Sequence, residues 1–146
     1  MKTSFKVEGF KEMEAAMMDL PKAAAKGVVR RVLKKAAALI AAAMGSRAPR
    51  DKGDLAESYV VGTKLNKRQR RSSRKKSAIE VYAGTNDSGG VQTEFGNDHQ
   101  AAQPHARPGW NASKFDALDL IKSEMWGEIA KTVARHQRRL AKKALR

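Results

Sequence analysis

The chain has no cysteine, few aromatic residues and half as many acids as bases. Each shortage removes a class of function. Without Cys among 146 residues there are no disulfides, thiolate zinc sites or cysteine nucleophiles. Such a composition suits a reducing compartment. Aromatics make up 5% of the chain and none lies inside a basic run, which argues against a stacking platform for single-stranded nucleic acid. No apolar run reaches the roughly 18 residues that a membrane span needs, and the alanine-rich stretch Ala36–Met44 is too short. The opening Met1-Lys-Thr-Ser-Phe-Lys6 lacks the apolar core of a signal peptide, so none is expected.

What the chain has in excess is positive charge. Thirty Lys and Arg against fifteen Asp and Glu leave +15. A field of that size favours an anionic neighbour, either nucleic acid or an acidic protein surface. The length suggests a single domain over 1–146 with one core.

Hydrophobic periodicity outlines the elements. Thr3–Glu8 alternates around Phe5 and Val7 and reads as an edge strand. Phe10, Met13, Met17 and Leu20 follow at helical spacing. Pro21–Gly45 is the clearest helix, roughly 37 Å long, with Val28, Val29, Val32, Leu33, Ala36, Leu39 and Ile40 on its apolar face. Tyr59–Lys64 and Ser77–Ala83 read as strands, and Val91–Phe95 as a further short strand. A long helix is expected from about Pro108, with a stripe of Phe115, Leu118, Ile121, Met125, Ile129 and Val133. The pattern fades after Val133, so the tail 134–146 is expected to order only on assembly. The sum is an α+β fold: a small antiparallel sheet of three to four strands, packed by a long helix from the N-terminal half and a long C-terminal helix.

Between the two central strands, Leu65–Lys76 holds Lys67, Arg68, Arg70, Arg71, Arg74, Lys75 and Lys76 and no acid. Seven like charges repel, so a mobile β-hairpin insert at 65–76 is expected, contacting an acidic partner or DNA phosphates. The run has no aromatics and no paired Asn or Gln for base reading, so sequence-specific recognition is not expected.

Catalytic material is thin. Glu94, Asp98, His99 and His105 lie close in sequence, but their spacing fits no metal motif, and no metal is expected. Asp51, Asp54, Glu80 and Glu94 could in principle serve a two-metal nuclease, yet each has an ordinary place in a turn or on a strand face. Ser88-Gly-Gly90 lacks the Lys-Ser/Thr of a phosphate loop. Neither a cofactor nor an enzymatic activity is expected.

The stretch Val91-Gln-Thr-Glu-Phe-Gly96, followed by Gln103-Pro-His-Ala-Arg-Pro108, instead reads as a docking loop held in one shape by its prolines. Its candidate interface residues are Glu94, Phe95, Gly96, Gln103, Pro104, Arg107, Pro108 and Trp110. Trp110 and Trp126 lie on one helix and are core residues or, if exposed, interface anchors.

The order of these pieces resembles the head–tail joining family of long-tailed bacteriophages, the neck or tail-completion proteins. The pieces are Val7–Phe10, the Ala-rich helix, Ala48-Pro49, Gly53-Asp-Leu55 with Ser58, Thr93-Glu-Phe-Gly96 and Gln103-Pro-His-Ala-Arg-Pro108. The chain departs from the family pattern at Lys52, Asn97, His105 (where Phe is common) and Gly109-Trp110. The resemblance implies a non-enzymatic virion protein assembled in the bacterial cytoplasm. It implies a homo-oligomeric ring, six-fold favoured over twelve-fold, that joins the capsid connector to the tail tube and lets genomic DNA pass. A basic, non-specific nucleic-acid-binding protein is the alternative.

Overall fold

The computed structural model describes residues 10–51 and 54–145. In chain order the elements are α1 (Phe10–Met18), α2 (Lys22–Gly45), α3 (Asp54–Glu57), β1 (Tyr59–Gly62), α4 (Lys67–Ser72), β2 (Tyr82–Thr85), α5 (Gly89–Phe95) and α6 (Ala106–Ala144). The fold is mixed, with the two long helices in the expected places. Its sheet among the described residues has two antiparallel strands rather than three to four. Tyr59 pairs with Thr85 and Gly62 with Tyr82. The strand expected over Thr3–Glu8 lies outside the described residues.

Helices α2 and α6 run antiparallel. Met44 meets Gly109 at one end, while Lys35 reaches Glu124 and Arg31 reaches Glu128 towards the other. Two rows of small residues at four-residue spacing make the close approach. Ala37, Ala41 and Gly45 are buried on α2, and Gly109, Ser113 and Ala117 on α6. Such rows form the ridges that interlock between helices. A Cβ on Gly109 would stand 2.7 Å from the Met44 Cα, so no side chain fits there. Further along, Val28, Val32 and Ile129 are fully enclosed, each burial being worth about 1.5–3 kcal/mol. The flanking pair Arg31–Glu128, at 2.9 Å, is half open to solvent on the Arg side and adds little.

Several sequence expectations are corrected. Leu39 and Phe115, placed in the core by periodicity, are 40% and 59% exposed. They belong to an apolar stripe wider than the face that packing covers. Helix α2 lies against both strands, and α6 packs chiefly on α2 rather than on the sheet. The second strand begins at Tyr82 rather than Ser77, because 77–80 curls around the Glu80 carboxylate. The tail does not fade: α6 continues as helix through Ala144, with Ala, Leu, Lys, Arg and Gln, all good helix formers, along its last turns.

The basic segment is a short helix, α4, and not a β-hairpin. Asn66 and Gln69 form a reciprocal capping box: the Gln69 N–H donates to Asn66 Oδ1 at 2.8 Å, and the Asn66 N–H to Gln69 Oε1 at 3.1 Å. That local pairing starts a helix in spite of the charge repulsion.

Candidate assembly surface

Val91–Phe95 is helical, not a strand. Asp87 Oδ1 accepts from the Gly89 N–H, and Thr93 Oγ1 donates back to the Gly89 carbonyl, both within one turn. The helix buries its polar residues Thr93 and Glu94 and leaves Val91 and Phe95 65% and 64% exposed. An alternating strand would place Val91 and Phe95 on the same face as Thr93. The helix separates them and turns the adjacent Thr93 and Glu94 inward together.

That partner is the start of α6. Glu94 Oε2 accepts from the backbone N–H groups of His105, at 2.7 Å, and Ala106, at 2.8 Å. Its Oε1 accepts from the Arg107 N–H at 3.2 Å and from Arg107 Nε at 3.0 Å. Pro108 has no N–H to satisfy, and the Gly109 N–H already reaches the His105 carbonyl. Every orphan donor of the first turn is thereby accounted for by one side chain borrowed from α5. A carboxylate also suits the positive end of the helix. Burial alone would push Glu94 up, but the three backbone donors and the Arg107 guanidinium overcome it and hold the group at about 2. Burial, with the Glu94 charge adding, pushes the nearby Tyr59 phenol up.

The loop between α5 and α6 closes on this clamp. Gly96 turns the chain with φ +76°, a left-handed conformation in which a side chain would also strike the Ala102 backbone. The Gln103 N–H returns to the Thr93 carbonyl at 2.7 Å. His105 is fully buried, edge-on to Tyr59 with ring centroids 5.8 Å apart. Its Nδ1 lies 3.1 Å from the Gln103 carbonyl and 3.4 Å from Glu94 Oε2, both acceptors. Nε2 has no partner among the described residues.

The clamp therefore divides the candidate residues. Glu94 is internal and Gly96 makes the turn. Gln103, Pro104, Arg107, Pro108 and Trp110 are exposed, and so is Phe95, over whose ring the Arg107 guanidinium lies at 4.9 Å. Arg107 thus spends one nitrogen within the chain, while its side chain as a whole is 62% exposed. Sequence reasoning missed Val91 as a surface residue; its i, i+4 relation to Phe95 was the available signal. It also missed a groove of about 380 Å³ between α2 and α6, lined by Leu33, Ile40, Val81, Trp110, Phe115 and Leu118. Among the described residues no three His, Asp or Glu side chains converge as a metal site. No helix among them is long and apolar enough to cross a membrane.

The clamp thus holds exposed apolar residues on its rim. The family model described as "Bacteriophage HK97-gp10, putative tail-component" matches residues 11–103. The chain belongs to this HK97-gp10-like family of phage tail components, which gives it a structural place in the virion. No curated protein and no solved structure matches the chain. The matched segment ends before α6, so Arg107, Trp110 and the basic end of α6 are read from this chain alone.

Proposed function

We propose that the protein is a non-catalytic subunit of a ring at the head–tail junction, which joins the capsid connector to the tail tube and lets the genome pass. The observation that supports this best is the Glu94 clamp. It fixes Val91, Phe95 and Arg107 in place and buries none of them in the subunit. The α2–α6 groove with Trp110 and Phe115 provides a second apolar surface of different shape. Head-to-tail ring contacts need two unlike patches that fit each other. Both are rich in the residue types that anchor interfaces. A six-fold ring is the favoured closure. The charge of +15 per subunit favours a polyanion nearby. The two carboxylates best placed for chemistry, Glu80 and Glu94, are already engaged by backbone donors.

The test is the double substitution Val91→Ser, Phe95→Ser. Both residues are exposed, so the subunit should keep its melting midpoint. Ring formation in sedimentation and the yield of infectious particles should collapse. Wild-type rings and yields would overturn the reading.

One observation favours the second reading, a nucleic-acid-binding protein. After Glu128, α6 carries no acid and presents Lys131, Arg135, Arg138, Arg139 and Lys142 along one side. That reading expects the monomer to bind duplex DNA with a steep salt dependence.

A further inference from the structure

A cleft of about 850 Å³ lies between α2, the end of β1 and the segment that leads into β2. Four cations line it from three parts of the chain: Arg30 of α2, Lys64 after β1, and Arg70 and Lys75 of the basic segment. None of the four forms an ion pair among the described residues, whose pairs involve Arg31, Lys35, His105, Arg107, Lys122 and Lys131 instead. Between the cations lie the apolar Leu65, Ala78 and Ile79, beside the polar Thr63, Ser73 and Tyr82.

The walls are built. Gln69 ties α4 to the sheet through Nε2 and the Thr85 carbonyl at 3.4 Å. Glu80 holds the opposite wall. Its Oε1 accepts from the Lys76 N–H at 2.5 Å and the Ser77 N–H at 2.9 Å, and its Oε2 accepts from the Tyr82 hydroxyl. Those donors, Tyr82 first, hold the Glu80 carboxyl below its usual range. Glu80 is the one acid in the cleft lining; it braces the loop, and its single charge leaves the four cations in excess. On α4, helical spacing turns Arg70 inward and leaves Lys67, Arg68 and Arg71 outside the cleft lining.

We infer that this cleft is a docking site for an acidic protein segment that carries apolar side chains. Cations set around the apolar side chains of Leu65 and Ile79 complement carboxylates set around a Leu- or Phe-type anchor. Phosphate backbones need charge alone and gain nothing from Leu65 and Ile79. The inference deepens the assembly reading, and only the partner's place in the virion rests on it.

The experiment uses the full-length subunit and fluorescence anisotropy at about 150 mM salt, where distant charges are screened. The probes are a short acidic peptide with two leucines, a leucine-free peptide of equal charge, and duplex DNA. The leucine peptide should bind at least about tenfold tighter than its leucine-free counterpart, the worth of one buried side chain. Arg70→Gln with Lys75→Gln should weaken it by about tenfold or more. The charge-matched control, Lys67→Gln with Arg71→Gln, should leave it within about twofold. Glu80→Gln discriminates further. It makes the region more positive, so a pure field predicts tighter binding, whereas a braced cleft predicts weaker binding. Equal losses in both double variants, tighter binding by Glu80→Gln, DNA outcompeting the peptide, or no preference for leucine would each overturn the inference. The outcome is independent of ring formation, which is read separately by sedimentation of the same variants.

Discussion

Glu94 holds Arg107 twice, through the backbone N–H at 3.2 Å and through Nε at 3.0 Å, across thirteen residues of chain. The one contact fixes where α6 starts and which way Arg107 points. Stability and surface presentation are thus joined in a single carboxylate, and its titration is open to measurement.

Glu94 is held at about 2 against an ordinary 4.5. A lowered carboxyl stabilises the fold in full above the unfolded value, and that stability is lost as pH falls from about 4.5 through about 2. The difference corresponds to about 3 kcal/mol. Glu94→Gln should cost a comparable amount at neutral pH. It should also flatten the fall in stability between pH 5 and pH 2, as read by denaturant melts. A variant as acid-sensitive as the parent would show that another group governs the transition.

Two glycines of α6 should respond in opposite directions. Gly109→Ala drives a methyl into the Met44 backbone and should destabilise by about 1–3 kcal/mol. Gly127 has nothing within 4 Å of an added Cβ, so Gly127→Ala should gain up to about 1 kcal/mol from helix propensity. Thermal midpoints of the two variants, measured side by side, check both.

Val32 and Leu39 separate core from surface on one helix. Val32→Asp buries an unpaired charge in a fully enclosed position and should cost about 3–5 kcal/mol, a large share of an ordinary domain's stability. Leu39 is 40% exposed, so Leu39→Asp should leave a folded subunit with a midpoint only a few degrees lower. If both variants unfold, the α2–α6 groove is more tightly packed than described.

His105 carries a buried nitrogen with no partner among the described residues. Leaving such a group unpaired costs about 1–3 kcal/mol. His105→Phe should therefore raise the melting midpoint, with the Gln103 carbonyl turning to solvent. A lower midpoint would mean that the Nδ1 contact to Gln103 outweighs the orphan.

The two long helices were legible because their signal is local and repeated. Val28, Val29, Val32, Leu33 and Ala36 on α2 recur at spacings of three and four, which a helix gathers on one side and a strand would split between its two faces. The antiparallel pair Tyr59–Gly62 with Tyr82–Thr85 was legible in kind, though its second strand started late. The absence of Cys and the excess of Lys and Arg likewise followed from composition alone.

Tertiary structure alone decided the rest, since it depends on residues distant in the chain. Val91–Phe95 has the apolar content of a strand, but the adjacent residues Thr93 and Glu94 both face inward, Glu94 to cap α6, and a helix turns them in together while Val91 and Phe95 stay outside, whereas a strand would put them on opposite faces. Leu39 and Phe115 satisfy the same periodicity as Val32, but whether a periodic position is covered depends on which neighbour packs over it. The basic run 65–76 shows charge but not shape. Its fold rests on the Asn66–Gln69 cap and on Glu80 bracing the return, and the cleft it encloses needs Arg30 from a helix more than thirty residues earlier. Pattern reports what a residue prefers, and a site is set by which distant residues meet.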